Sequence, residues 1–365
     1  MHLTGADKLA FHPLAVASVE PIAEDAVCIT LAVPPAAREA FQFDAGQYLT
    51  VRRVIDGREE RRTYSIVTAP GGRALRIGVR RQSGGLMSES LATELRAGDL
   101  LEAARPAGRF RTAVDPARAR CYVAVAAGSG ITPVLSLATD ILAREPNSRF
   151  TLIYGNRSMA RTMFLEDILA LKNRHMHRFA VHFVMSREPQ HTPLLNGRID
   201  GAKVRELAGR LFEPSAVDEY FLCGPGSMVD DLRRALKSLS ADAVVRSERF
   251  AGAAAPVRGP QTAAEAPPQA QPLATITVTI DGRRRSFPMA PGNASVLEAG
   301  EKAGLELPFS CRSGICATCR ARVVAGDAVM THNIALQDWE LAAGFILCCQ
   351  ARPTGATLEL SYDEK

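Results

Sequence analysis

Strong charge of either sign is missing from this 365-residue chain. The 44 Lys+Arg against 39 Asp+Glu leave only +5, spread too evenly for a nucleic-acid surface. Histidine is sparse. His2, His12, His175, His177, His182, His191 and His332 form no two-His-one-carboxylate set, so no oxygen-activating iron site is expected in the chain itself. A smooth membrane-spanning run is also lacking. Cys121 to Thr139 carries no charge over 19 positions, but Gly-Ser-Gly and a proline interrupt it. A strand, a glycine loop and a helix explain it better than a membrane partner does. The opening MHLTGADKLAFHPL has no charged start followed by an apolar core. No secretory signal is expected, and a cytoplasmic location is. No repeat recurs at solenoid periods. What remains is ordinary globular usage, 47% hydrophobic and 23% charged, at a length that suggests two or three domains.

Residues 251–272 hold eight Ala, five Pro and three Gln, and no aliphatic larger than Val257. They cannot bury enough apolar surface to order themselves, and they read as a flexible tether. Before the tether the chain changes character. Residues 8–114 hold short alternating runs (LAVASVE, AVCITLAV, QYLTVRRV, RTYSIVTA, ALRIGVRR) separated by turn residues, the pattern of an antiparallel β-barrel. In residues 115–250, strands CYVAVAA, RFTLIYG, AVHFVMS and DEYFLCG alternate with helices expected at Pro133–Glu145, Met163–Arg174, Lys203–Phe212 and Met228–Leu239. That alternation implies an α/β parallel sheet. Residues 273–365 read as two strands, a helix from Ser295, a loop rich in Cys, Ser and Gly, and further short strands.

Of eight cysteines, five fall in the last 55 residues, which in a cytosolic chain argues for metal or redox chemistry. Cys311, Cys316 and Cys319 give C-x4-C-x2-C, and Cys349 follows after 29 intervening residues. This is the spacing of a [2Fe–2S] cluster held by four thiolates. Zinc is the alternative, but its sites are usually built from two short cysteine pairs. If FILCCQA is extended, Cys348 and Cys349 point to opposite sides and only one can be a ligand. The segment resembles plant-type ferredoxin domains, whose last ligand commonly precedes Gln. The resemblance implies a β-grasp α+β fold, Cys349 as fourth ligand, and Cys348 as a buried thiol.

Arg62-Thr63-Tyr64-Ser65 lies on an expected strand, and Gly84-Gly85-Leu86-Met87-Ser88 follows about twenty residues later, opening a helix. Arg62 can pair with a phosphate, Tyr64 can stack on a ring, Ser65 can hydrogen-bond to it, and the second segment offers free amides to a pyrophosphate. In this order they resemble the ferredoxin–NADP reductase family. The resemblance implies FAD, although some members use FMN, with Arg62 and the amides of Gly84 to Ser88 on its pyrophosphate and Tyr64 and Ser65 at the isoalloxazine.

Gly128-Ser129-Gly130-Ile131-Thr132-Pro133 joins a strand to a helix, where glycines admit a pyrophosphate and Pro133 suits the first turn. The family resemblance makes Gly128, Gly130, Thr132 and Pro133 the nicotinamide-nucleotide loop. It puts Cys223-Gly224-Pro225 beside the nicotinamide and makes Phe250 the aromatic covering the flavin. Tyr64, Ser65 and Cys223 are thus the candidate catalytic residues. After the second strand of the sheet no acidic residue appears until Glu166, while Arg157, Ser158 and Arg161 could meet a 2′-phosphate. This favours NADPH and leaves NADH open.

The module order, with the details FHPL, RTYS, YGNR, LLNGRID, FLCGP and ERF, resembles the reductases of multicomponent oxygenases, of the phenylacetyl-CoA epoxidase kind and of the Rieske-type, including ketosteroid, kind. It implies an oxidoreductase that passes electrons from NAD(P)H through FAD to the cluster and on to a separate terminal oxygenase. The other readings are an electron-transfer subunit of a dehydrogenase and a nonenzymatic redox sensor.

Overall fold

The computed structural model describes residues 10–72, 74–250 and 274–364. The tether expected at 251–272 lies outside the described residues. Two compact units result, one over Phe11–Ala253 and one holding the C-terminal residues.

The first unit contains two sheets. One is antiparallel: β1 (Phe11–Ala23), β2 (Ala26–Ala32), β3 (Tyr48–Ile55), β4 (Arg58–Ser65), β5 (Ala74–Arg80) and β6 (Leu100–Ala104), in the order β4-β3-β6-β1-β2-β5. Alternation turns Leu14, Ile29, Leu31, Leu49, Val51, Ile77, Val79 and Leu101 to a common core. The two ends of the sheet meet at an Ile66–Ile77 bridge, where the Val67 amide donates to the Arg76 carbonyl at 2.8 Å. A helix, α1 (Leu86–Thr93), sends Met87 and Leu91 into the same core. β6 was not expected, because LLEAA is short and has no β-branched residue to announce it.

The other sheet is parallel: β7 (Cys121–Ala127), β8 (Arg149–Asn156), β9 (Phe179–Met185), β10 (Glu219–Pro225) and β11 (Val244–Phe250), in the order β11-β10-β7-β8-β9. Its helices are α2 (Ile131–Arg144), α3 (Leu165–Arg174), α4 (Gly201–Leu207) and α5 (Gly226–Leu239). Helices α2 and α3 cover one face, and α4 and α5 the other. Burial on both faces is why the central strands read as unbroken apolar runs. Helix α4 starts earlier than expected because the Asp200 carboxylate accepts from the Lys203 amide at 2.8 Å. It ends at Leu207, where Ala208 turns to extended backbone. Strand order reverses between β7 and β10, which opens a crevice at their C-terminal ends. Arg76 of the antiparallel sheet holds Asp167 of α3 with both nitrogens, at 2.6 and 3.2 Å, and Ser136 donates to the Thr68 carbonyl at 2.7 Å.

The C-terminal unit contains β12 (Ala274–Ile280), β13 (Arg283–Met289), α6 (Val296–Lys302), β14 (Arg320–Ala325), β15 (Ala328–Met330), α7 (Asp338–Ala342), β16 (Phe345–Leu347), β17 (Ala351–Pro353) and β18 (Thr357–Ser361). The main sheet runs β13-β12-β18-β14-β16, with β12 and β18 parallel, and β15 pairs with β17. Ser295 caps α6 by accepting from the Glu298 amide at 3.2 Å. Val296, Leu297 and Ala299 then pack on Ile276, Phe287 and Leu358, a sheet closed over a helix as in a β-grasp fold. Among the described residues of both units, no helix is long and apolar enough to cross a membrane.

Candidate functional site

The cysteine loop runs without regular structure from Ser310 to Cys319, and β14 begins at Arg320. Backbone amides turn inward on sulfur: Ser313 and Ile315 donate to Cys311 Sγ at 3.4 and 3.3 Å, and Cys311 donates to Cys316 Sγ at 3.5 Å. Three left-handed residues make that curl, Arg312 (φ 54), Gly314 (φ 76) and Ala317 (φ 54). At Gly314 a Cβ would also come within 2.9 Å of the His332 carbonyl. The thiols meet in twos, Cys311 with Cys316 and Cys319 with Cys349. Two thiols per iron is the arrangement a two-iron cluster takes. Buried Ser310 Oγ has no hydrogen-bond partner, and the enclosed Thr318 hydroxyl faces Cys316. An orphan donor beside inward amides suits an acceptor-rich sulfide cluster.

FILCCQA is extended only over its first three residues. β16 stops at Leu347, and residues 348–350 form a turn in which the Gln350 amide donates to the Leu347 carbonyl at 2.8 Å. The turn still separates the two thiols. Cys349 lies with Cys319, and Gln350 Nε2 bonds the Arg312 carbonyl at 2.8 Å, tying this turn to the loop. Cys348 is fully buried beside Tyr362, and burial pushes its thiol up to about 12.

On β4, Arg62 and Tyr64 share a face. Arg62 is not waiting bare for a phosphate: its Nη1 pairs with Glu60 at 2.9 Å and donates to the Arg61 carbonyl at 2.7 Å. Tyr64 packs against the barrel core, and burial raises its phenol above the usual range. Ser65 is buried. Three residues on, Thr68 Oγ1 is buried without a partner, an orphan polar atom that suits a ring with hydrogen-bonding edges. Ahead of α1, the Gly84 amide donates to the Glu89 carboxylate at 3.0 Å, so the loop is already turned toward an anion. Ser88 Oγ donates to the Gly85 carbonyl at 3.0 Å. Leu86 is exposed, whereas Met87 is only 2% exposed and packs in the barrel core.

At the crevice of the parallel sheet, Gly130 has a backbone reason to be glycine. A Cβ there would lie 2.2 Å from the Cys223 carbonyl, so the Gly128–Gly130 turn and the Cys223-Gly224-Pro225 end of β10 are in contact. Tyr154 donates to the Gly128 carbonyl at 2.8 Å. Thr132 is buried, and its hydroxyl donates to the Ser129 carbonyl at 2.9 Å, which shapes the turn. Pro133 sits in the buried first turn of α2.

Sequence reasoning missed Glu248. Strand β11 pairs in parallel with β10 so that Glu248 stands beside Cys223, with Cys223 Sγ 4.0 Å from Oε2. The Ser65 hydroxyl, from the other sheet, faces the same carboxyl. Burial pushes Glu248 up to about 8 and the Cys223 thiol well above its usual range, so both carry protons near neutrality. Phe250, two residues on, packs partly buried against the core that includes Cys223. A strand returning to the sheet after the last helix could have pointed to Glu248.

Arg157 is exposed at the end of β8, followed by half-buried Ser158. Arg161 is not available as expected, because its guanidinium is bound to Asp25 of the other sheet. Arg187, which the sequence did not single out, stands exposed on the neighbouring strand end, its amide bonded to the Arg157 carbonyl at 2.9 Å.

Three family patterns match the chain in order: the oxidoreductase FAD-binding domain over residues 13–112, the oxidoreductase NAD-binding domain over 124–234, and the 2Fe-2S iron-sulfur cluster binding domain over 278–354. One component of the 1,2-phenylacetyl-CoA epoxidase from Escherichia coli is 38% identical across 97% of this chain and 98% of its own. The ferredoxin reductase component of 3-ketosteroid-9-alpha-monooxygenase from Rhodococcus rhodochrous is 28% identical over 96% of each. Phthalate dioxygenase reductase, described as a modular structure for electron transfer from pyridine nucleotides to [2Fe–2S], superposes with a TM-score of 0.61 at 27% identity, covering 98% of this chain and all of that one. The chain therefore belongs to the family of oxygenase reductase components in which FAD-binding, NAD-binding and [2Fe–2S] domains carry electrons from NAD(P)H through FAD to the cluster.

Proposed function

We propose that this chain is the NADPH-dependent reductase of a separate terminal oxygenase, of the epoxidase type that acts on phenylacetyl-CoA. The full-length likeness to the epoxidase component, ten percentage points above the steroid-system reductase, supports that choice of partner. The observation that carries the electron-transfer reading is the meeting of Ser65, Cys223 and Glu248. A residue of the flavin motif and a residue of the nicotinamide motif face one carboxyl there. FAD held there would supply the switch from two-electron to one-electron chemistry between the nicotinamide and the cluster.

The chain's own residues do the positioning. Cys223 and the Gly128–Gly130 turn hold the nicotinamide end, and Ser65 holds the flavin edge. Glu248, protonated near neutrality, is able to donate a hydrogen bond or a proton there. Cys311, Cys316, Cys319 and Cys349 hold the cluster. Arg157, Ser158 and Arg187 supply the positive end that a 2′-phosphate requires. A cytoplasmic setting fits a chain whose cysteines must stay reduced.

The test is anaerobic reduction of the full-length holoprotein by NADPH and by NADH, followed by purification of the native complex. Bleaching of the flavin, then of the cluster, and a co-purifying oxygenase are expected. A protein that neither oxidises NAD(P)H nor passes electrons to cytochrome c overturns the reading.

A further inference from the structure

The barrel touches the parallel sheet at several places, and one of them lands on the coenzyme loop. The β1–β2 turn carries Glu24 and Asp25. The Glu24 amide donates to the Ala160 carbonyl at 2.9 Å. The Asp25 carboxylate, 13% exposed, takes the guanidinium of Arg161 on one oxygen and lies 3.5 Å from Arg80 Nη1. Arg80 closes the ring by donating through Nη2 to the Arg161 carbonyl at 2.7 Å. The Asp25 carbonyl also accepts from the Arg81 amide at 2.8 Å, where the chain leaves β5 for the Gly84-Gly85 loop. One turn thus grips both the segment that leads to the flavin-phosphate loop and the 158–161 turn directly behind Arg157.

We propose that Asp25 is a positioning residue for the coenzyme phosphate, fixing the turn that presents Arg157 and Ser158. This rests on the reading of residues 157–158 as the phosphate loop. Charge balance sets the arrangement of these guanidinia. Arg80, Arg157 and Arg161 are close enough for the fields of the latter two to act on Arg80. One buried carboxylate draws Arg161 inward and leaves Arg157 pointing to solvent. Without it, two half-buried guanidinia repel and the 158–161 turn loses the partner that holds its last residue. Two further links between the sheets differ. Arg76–Asp167 and Ser136–Thr68 end on helix bodies, away from residues 157–158.

Steady-state kinetics on the full-length holoprotein test this. Asp25→Asn should raise the KM for NADPH about tenfold, the loss of one charge-assisted contact. Rate at saturating NADPH and flavin content should not change. Asp25→Glu, which keeps the charge, should recover most of the affinity. Asp167→Asn should lower the melting temperature without moving KM. If Asp25→Asn does not yield folded flavoprotein, Arg161→Gln must show the same KM shift. An unmoved KM, a fall in kcat with equal flavin loss, or an equal KM rise in Asp167→Asn overturns the inference while leaving wild-type turnover and the functional reading intact. A wild-type protein inert to NADPH overturns both.

Discussion

Cys223 Sγ and Glu248 Oε2 lie 4.0 Å apart on neighbouring strands, with the Ser65 hydroxyl facing the same carboxyl from the antiparallel sheet. Removing the carboxyl proton donor in Glu248→Gln should slow flavin reduction by NADPH about tenfold to a hundredfold, the scale of one or two lost polar contacts. Stopped-flow absorbance measures it. A rate equal to wild type would mean that the carboxyl takes no part.

The same residue sets a pH dependence of stability. Its carboxyl rises from 4.5 to about 8 on folding, through burial that the Ser65 contact only partly offsets. The folded form therefore binds the proton more tightly, and this stabilisation is complete below the lower value and lost as pH rises through the higher one. Wild type should lose melting temperature against Glu248→Gln as pH rises from about 4.5 to about 8. Parallel thermal melts across that range would count against the raised carboxyl.

Cys316→Ser should abolish the cluster and leave flavin reduction in place. Iron and acid-labile sulfide fall to background, cytochrome c reduction collapses, and NADPH still bleaches the flavin. Loss of flavin reduction as well would break the division of labour between the units.

Arg157→Ala and Arg187→Ala should each raise the KM for NADPH about tenfold, since each removes a charge-assisted contact, with NADH nearly unaffected. The ratio of the two coenzyme efficiencies is the readout. An unchanged ratio in both variants removes the 2′-phosphate assignment.

Gly130→Ala drives a methyl into the Cys223 carbonyl, 2.2 Å away. Overpacking of this kind costs about 1–3 kcal/mol. It should lower the melting temperature by about 2–4 °C per kcal/mol and slow hydride transfer more than Ala would at an open loop position.

Much of this architecture was legible in the sequence because the patterns are dense. CYVAVAA and RFTLIYG announce buried parallel strands, and the cysteine spacing names its cluster. What escaped lacks local signal. β6 is too short and too poor in β-branched residues. The turn at Cys348–Gln350 was hidden because FILCCQ reads as a strand. Glu248 and Arg187 each stand alone in sequence, and only strand pairing brings them to Cys223 and Arg157. Thr132 and Arg161 carry partners that were equally silent. Their residue types suit a ligand, and the sequence does not announce the local bond of Thr132 to Ser129 or the tertiary ion pair of Arg161 with Asp25.

Because Cys223 and Glu248 occupy matched rungs of one ladder, their spacing belongs to the sheet rather than to either side chain. A slip of one rung would rotate the carboxyl to the opposite face and bring Ser247 or Arg249 to the thiol. The edge strand therefore works as a vernier, and changes far along Val244–Phe250 should be felt as detuned chemistry before they are felt as unfolding.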